Sequence, residues 1–238
     1  MKKILLLLLV IPGLFITGCK LDAPDFSKIA KSTGTGGGTN TGTDTTTTTT
    51  NTNSDSYQPV TKNTYWKYSG VIAGSTETET QTMTGDTAIF NNKTYYAVNV
   101  TSTVAGNSTE YYYHGDDNYT MRSTSNGGFT IEYLYLKDNY EIGKTWTTPI
   151  TDDGTLNSVS AQIVGKIVEQ GITKTISGKK FTGVVHTQLL VQYDLGSGFE
   201  TVQTLDYYIA KGIGIVEADS SSPSGVLSTS AITDYSIK

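Results

Sequence analysis

Glu77-Thr78-Glu79-Thr80-Gln81-Thr82-Met83-Thr84 sets a threonine at every second position. Successive side chains of a β-strand point to opposite faces, so this stretch presents one threonine face and one mixed face. Threonine is branched at Cβ and fits a pleated, half-wet surface better than a helix. The same period of two recurs downstream. Tyr96, Val98 and Val100 alternate with Ala97, Asn99 and Thr101, and Phe129, Ile131, Tyr133 and Tyr135 alternate with Thr130, Glu132 and Leu134. Residues 184–193 and 202–209 are rich in β-branched and aromatic side chains. Turn chemistry separates the runs at Asn91-Asn92-Lys93, Ala105-Gly106-Asn107, Asp116-Asp117-Asn118, Asn126-Gly127-Gly128, Asp152-Asp153-Gly154, Ser177-Gly178-Lys179 and Gly196-Ser197-Gly198. Short strands joined by hairpin turns predict an antiparallel meander. No sustained 3.6-residue apolar period predicts a long helix. The expected fold class is all-β, about ten to fourteen strands forming a curved sheet, an open barrel or a sandwich. Thr, Ser, Asn and Gln are expected on the solvent-facing positions.

Composition divides the chain sharply. All 16 tyrosines, both tryptophans and both histidines follow residue 56. The 25 residues 32–56 contain only Thr, Gly, Asn, Ser and Asp, so nothing there can enter a core or offset the entropy of ordering. They are expected to be a disordered tether, with an r.m.s. span of about 25–30 Å for a chain of this length. Asp44-Thr45-Thr46 and Asp86-Thr87-Ala88 resemble short O-glycosylation acceptor patterns of Bacteroidota envelope proteins.

At the start, Lys2 and Lys3 precede residues 4–16, apolar apart from Pro12-Gly13. A membrane span needs about 20 apolar residues, so this is read as a secretory signal peptide. Phe15-Ile16-Thr17-Gly18-Cys19 resembles a bacterial lipobox. The resemblance implies cleavage between Gly18 and Cys19, a diacylglycerol thioether on Cys19 and acylation of the new amino terminus. Cys19 is the chain's only cysteine. The expected partition is 1–18 signal peptide, 19–31 lipid-anchored segment, 32–56 linker and 57–238 all-β domain. Two or more acyl chains anchor a protein stably, so the membrane is an expected partner and the outer membrane the expected address. Asp22 and Asp25 resemble the acidic surface-export signals of the same bacterial group.

One cysteine excludes an intrachain disulfide and any cysteine metal cluster. With 17 basic and 22 acidic residues the net charge is −5, which argues against a nucleic-acid partner. No cofactor and no metal are expected.

Three segments carry a further resemblance: Asn63-Thr64-Tyr65-Trp66-Lys67-Tyr68, Glu141-Ile142-Gly143-Lys144-Thr145-Trp146, and residues 207–217 with Tyr207-Tyr208, Gly212, Gly214 and Val216. Together they resemble a group of bacterial envelope lipoproteins with the pattern G-x-x-W-x-Y, G-x-x-W and Y-Y-x-x-G-x-G-x-V, except that Asn63 stands in place of the first Gly. The resemblance implies an exported all-β domain and no defined activity. Read physically, Trp66 and Trp146 are expected core anchors whose N–H groups find partners. Gly212 and Gly214 are expected to permit a bend between strands. Gly212-x-Gly214 lacks the third glycine and the helix of a nucleotide fingerprint.

Catalytic signals are sparse. His114-Gly115-Asp116-Asp117 and Asp152-Asp153-Gly154 read as hairpin turns, because neither is followed by the oxygen ligands a calcium site needs. His186 reads as a hydrogen-bonded sheet residue, and no Gly-x-Ser-x-Gly elbow is present. Tyr111, Tyr113, Tyr133 and Tyr135 are candidate ligand contacts, since tyrosine on a rigid strand offers an apolar body and a polar tip. In the triple run Tyr111 and Tyr113 share one face and Tyr112 takes the other. The expected function is a non-enzymatic binding or structural module for an envelope glycan or protein. The alternatives are an envelope hydrolase of glycan or peptide using Asp116 or Asp153 with a turn-borne histidine, or a carrier of lipid or another hydrophobe.

Overall fold

The computed structural model describes residues 55–124 and 128–238. Gly18, Cys19, the signal peptide and nearly all of the expected tether lie outside the described residues. Thirteen strands follow one another: β1 (Tyr65–Ile72), β2 (Ser75–Phe90), β3 (Lys93–Ser102), β4 (Gly106–Gly115), β5 (Asn118–Thr124), β6 (Thr130–Lys137), β7 (Thr145–Pro149), β8 (Thr155–Leu156), β9 (Val159–Ile176), β10 (Lys179–Asp194), β11 (Phe199–Ala210), β12 (Gly214–Ser222) and β13 (Gly225–Ser236). The described residues form no helix.

The strand order is β6-β5-β4-β3-β2-β1-β13-β12-β11-β10-β9-β7, every pair antiparallel, with β8 on β9 beside the main path. The expected meander is therefore present, and one long-range pairing completes it. β1 takes β13 along its free edge, from Tyr65 opposite Ser236 to Ile72 opposite Ser228. The first and last strands of the domain thus lie side by side.

The sheet curls until its two ends meet, giving a nearly closed barrel rather than a sandwich. The Glu132 amide of β6 donates to the Ile150 carbonyl beyond β7 (3.0 Å). The Trp146 indole donates to the Leu134 carbonyl (3.1 Å), and the inward-facing Thr187 hydroxyl donates to the Tyr135 carbonyl (2.8 Å). Closure of this kind leaves few free strand edges.

Alternate residues line the interior. Trp66 closes one end, 1% exposed, its Nε1–H donating to the Ile213 carbonyl at 2.6 Å. Met83, Val98, Ile163, Leu189, Leu205 and Ile209 fill the space around it, and each such side chain contributes about 1.5–3 kcal/mol by leaving water. Trp146 lies flat across Gly165 on the neighbouring strand, where an added Cβ would fall 2.1 Å from the ring. Gln58 seals this end: it is buried and its Oε1 accepts the Tyr135 hydroxyl (2.9 Å).

The outer face of β3 to β6 is also covered. Gly85, at φ +85°, sits within the register shift of β2 between Met83 and Thr87. Beyond the bend, Phe90 packs on Tyr95 and Tyr111 at 5.4 and 5.1 Å between centroids. Arg122 lies 4.7 Å over the Phe90 ring and bonds Glu132 (2.9 Å) and Asp152 (2.7 Å), while Tyr95 donates to the same Glu132 (2.9 Å).

Candidate functional site

The β1–β2 hairpin decides what faces the interior. Its turn is Ala73-Gly74, with φ +46° and +82°. The register places Gln81 opposite Trp66, Glu79 opposite Tyr68 and Glu77 opposite Gly70. Directly opposed residues share a face. Since Trp66 and Tyr68 point inward, so do Gln81, Glu79 and Glu77. The threonines of that stretch take the outer face.

The consequence is a barrel with two unlike halves. Near Trp66 the interior is apolar. Toward the Ala73-Gly74 end, Glu77, Gln81, Glu110, Ser123, Gln203, Ser220 and Ser228 are all buried. The expectation that Gln and Ser would sit on wet positions fails here. Period-two alternation of polar residues does not say which face is inward, and the tryptophan across the hairpin does.

Part of this polar layer is knitted together. Tyr112 donates to Gln81 Oε1 (2.9 Å), and Gln81 Nε2 donates to Glu79 Oε1 (2.7 Å). Glu77 Oε2 accepts the Val104 amide (3.0 Å). Ser123 donates to Glu110 Oε1 (3.4 Å), and Gln203 Nε2 donates to Ser220 Oγ (2.7 Å). Other buried oxygens have no hydrogen-bond partner among the described residues: Glu77 Oε1, Glu110 Oε2, Gln203 Oε1, Ser228 Oγ and the Tyr207 hydroxyl. An unpaired buried polar atom costs about 1–3 kcal/mol, and the barrel interior holds five of them.

A cavity of about 50 Å³ opens within this layer, lined by Tyr68, Gly70, Glu77, Glu79, Tyr207 and Ser228 among others. Among the described residues no lysine or arginine lines it. Burial pushes the Glu110 carboxyl up to about 8, reinforced by the nearby Glu79 charge and opposed by the Ser123 hydrogen bond. Burial likewise lifts Glu79 to about 7, with Glu77 adding to the shift and the Gln81 hydrogen bond working against it. Glu79 keeps part of its surface exposed, which fits the smaller shift. Tyr68 and Tyr112 are held well above the ordinary tyrosine range by burial and remain neutral donors.

The residues singled out from sequence fall in several places. Trp66 and Trp146 are buried with their indole N–H groups bonded. Gly212, at φ +76°, lies within the β11–β12 turn and Gly214, at φ +108°, opens β12, where an added Cβ would stand 3.5 Å from the Trp66 indole nitrogen. Tyr111 and Tyr113 point outward, Tyr111 against Phe90 and Tyr113 beneath Lys93, whose Nζ is 5.0 Å from its ring. Tyr133 and Tyr135 point inward and are buried in the core. The four do not form one surface.

His114 is stacked between Tyr96 and Tyr119 at 5.7 and 6.3 Å, and burial lowers its pKa. Asp116 and Asp117 form the β4–β5 turn, and Asp153 accepts from Thr151 and Thr155 around its own turn. His186 bonds Asp206 (2.8 Å) and stacks on Tyr208 at 4.3 Å. Among the described residues no group of three or more His, Cys, Asp or Glu side chains is placed to hold a metal ion.

None of Glu77, Glu79, Glu110, Ser228 and Tyr207 was read from sequence as a candidate site residue, although Tyr207 belongs to the Tyr207-Tyr208 pattern. The usable signal was local: a tight turn at Ala73-Gly74 fixes the register, and the register puts acids on the face of Trp66 and Tyr68.

Two solved structures resemble this one. A Bacteroides fragilis protein, named as exported and of YmcC-like fold, superposes with a TM-score of 0.47 at 11% identity, covering 75% of this chain and 97% of its own. A Parabacteroides distasonis protein named as a lipoprotein gives a TM-score of 0.47 at 11% identity over 76% of this chain and 98% of its own. No family model and no curated protein matches the chain.

Proposed function

We propose that the chain is an exported, lipid-anchored protein of the bacterial cell envelope, whose β domain is a non-enzymatic binding module held off the outer membrane by residues 32–56. The observation that carries the anchoring is the position of Cys19, the only cysteine of 238 residues, directly behind the lipobox-like Phe15-Ile16-Thr17-Gly18. Binding rather than hydrolysis is favoured by how the catalytic candidates are used. His114 is enclosed between two tyrosines, His186 is paired with Asp206, and Asp116 and Asp153 stand on separate turns. The polar interior of the barrel, with its unpaired oxygens, is the binding site this reading selects. The cavity there, about 50 Å³, is far too small for a lipid chain, since pockets for drug-sized ligands run to about 300–1,000 Å³.

The anchoring is tested by cell fractionation and intact mass. The wild-type chain is expected in the membrane fraction, carrying acyl mass and beginning at Cys19. Cys19→Ser is expected in the soluble envelope fraction or with its leader retained. A variant still processed and still membrane-bound would refute the anchor.

A further inference from the structure

We propose that the β9–β10 hairpin beyond Gly171 and Gly183 is a strap laid across the outer face of the barrel, and that His186 at its hinge holds it more tightly in acid than in base. β11 ends at Ala210, which lies opposite Val184 of β10, and Val184 in turn lies opposite Ile172 of β9. Residues 173–183 therefore run on with no neighbour on the β11 side. The hairpin bends at this point. Gly171 and Gly183 both take left-handed backbone, at φ +69° and +65°, and the β9–β10 register shifts three times between Phe181 and Thr187.

Beyond the bend, the hairpin touches strands that it does not pair with. Lys174 bonds Glu217 of β12 (2.6 Å), and its Nζ stands 3.0 Å from the centre of the Tyr208 ring of β11. Lys179 donates to the Thr233 carbonyl of β13 (2.6 Å), and Phe181 packs on Tyr235 at 6.2 Å between centroids. Neighbouring strands stand about 4.7–4.9 Å apart, so a lysine of β9 reaches β12 only when the hairpin folds over the sheet. Ile176 and Phe181 of the folded hairpin are buried.

His186 sits where the strap leaves the barrel. Its Nε2 lies 2.8 Å from Asp206 Oδ1 on β11 and its Nδ1 lies 3.4 Å from Glu169 Oε2 on β9. Its ring stacks at 4.3 Å on the same Tyr208 that Lys174 covers. Histidine is the side chain that gains and loses its charge between about pH 5 and 8. With both ring nitrogens protonated it turns an N–H toward each carboxylate and ties β9, β10 and β11 together. With one proton, held toward Asp206, the Nδ1 lone pair faces the Glu169 carboxylate and attraction becomes repulsion. Nδ1 is shut off from solvent and has no hydrogen-bond donor beside it among the described residues. The charged and titratable groups around the ring are Glu169 and, one register pair along, Lys166 on β9; Asp206 and Tyr208 on β11; Glu217 and Asp219 on β12; and Lys174 of the strap. The strap is expected to open more often as pH rises through the histidine range, baring Tyr208 and Glu217.

The test is hydrogen–deuterium exchange of the full-length chain in detergent at pH 5.5 and 8.0, read by mass spectrometry of peptides and corrected for the intrinsic rate at each pH. Amides of residues 172–183 are expected to be less protected than those of β11 at both values. Between them the strap is expected to lose at least ten-fold more protection than β1–β3, a comparison that removes any global change caused by Glu79 and Glu110. Glu169→Gln, at a carboxyl whose side chain is 52% exposed, is expected to abolish the extra loss, and His186→Gln to do the same. Lys174→Met is expected to lower strap protection at least ten-fold at both values. Should His186→Gln fail to fold, Glu169→Gln decides the role of the hinge. A strap as protected as β11 throughout, a pH response that survives Glu169→Gln, or strap protection untouched by Lys174→Met would overturn the proposal. None of these results bears on where Cys19→Ser fractionates or on the barrel interior.

Discussion

Replacing Glu110 by glutamine should make the protein more stable at alkaline pH and leave it little changed at pH 5. The Glu110 side chain is 0% exposed on β4, one oxygen bonded to Ser123 and the other unpartnered. Burial raises its pKa from 4.5 to about 8. A carboxyl that holds its proton more tightly when folded weakens the fold as pH rises. Below about 4.5 the folded and unfolded chains are both protonated and no penalty exists. Between that value and about 8 the unfolded chain gives up its proton first, so stability falls with pH. Above about 8 both are ionised and the penalty levels off. One pKa unit corresponds to about 1.4 kcal/mol, so the full penalty is on the order of 3–5 kcal/mol. That is a large share of a typical net stability of about 5–15 kcal/mol. Glutamine has the same shape and no charge, so Glu110→Gln should remove the decline between pH 7 and 8. Glu79, at about 7, continues to titrate below that window, and the two acids titrate as a coupled pair. Carboxylates held below their ordinary range, such as Asp152 beside Arg122, change charge at still lower pH. Urea unfolding followed by tryptophan fluorescence at pH 5, 6, 7, 8 and 9 measures the effect. At pH 9 the variant's midpoint should exceed wild type by about 1–2 M, for a slope of roughly 2–3 kcal/mol per molar. Midpoints that run parallel for the two proteins from pH 5 to 9 would refute the reasoning.

Two further substitutions test the packing. Gly165→Ala drives a methyl to within 2.1 Å of the Trp146 ring and should lower stability by about 1–3 kcal/mol, with altered tryptophan emission. An unaltered emission and midpoint would mean that Trp146 does not lie on Gly165. Arg122→Ala leaves half-buried Glu132 beside Tyr95 without its cation and should cost about 1–3 kcal/mol in a urea melt, whereas Arg122→Met, which keeps the stem over Phe90, should cost less.

The strands were legible because the chain writes them in a period of two. Thr78 to Thr84, Tyr96 to Val100 and Ile131 to Tyr135 all lie in strands, and Asn91-Asn92, Asp116-Asp117 and Ser177-Gly178 all turn between them. Closure was not legible. It depends on β1 meeting β13 and β6 meeting the segment after β7, contacts between residues more than a hundred apart in the first case, and no local pattern encodes them. The polar interior was hidden for a different reason. Glu77, Glu79 and Gln81 are charged or polar residues in a strand whose other face is threonine, so hydrophobicity offers no vote on which side is buried. Tyr133 and Tyr135 illustrate the same limit: tyrosine serves on either face, and only the fold assigns these two to the core.

The pairing of Tyr65 with Ser236 has a directional consequence. Both termini of the domain leave from the end that Trp66 and Gln58 seal, while Glu77 lies opposite Gly70, five residues beyond Tyr65 along β1 toward Ala73-Gly74. A strand advances about 3.3 Å per residue, so Glu77 stands roughly 16 Å along the strand from Tyr65. Any tether running through the residues before 55 grips the closed end. The domain is then held by that end, with the cavity displaced along the barrel from the point of attachment.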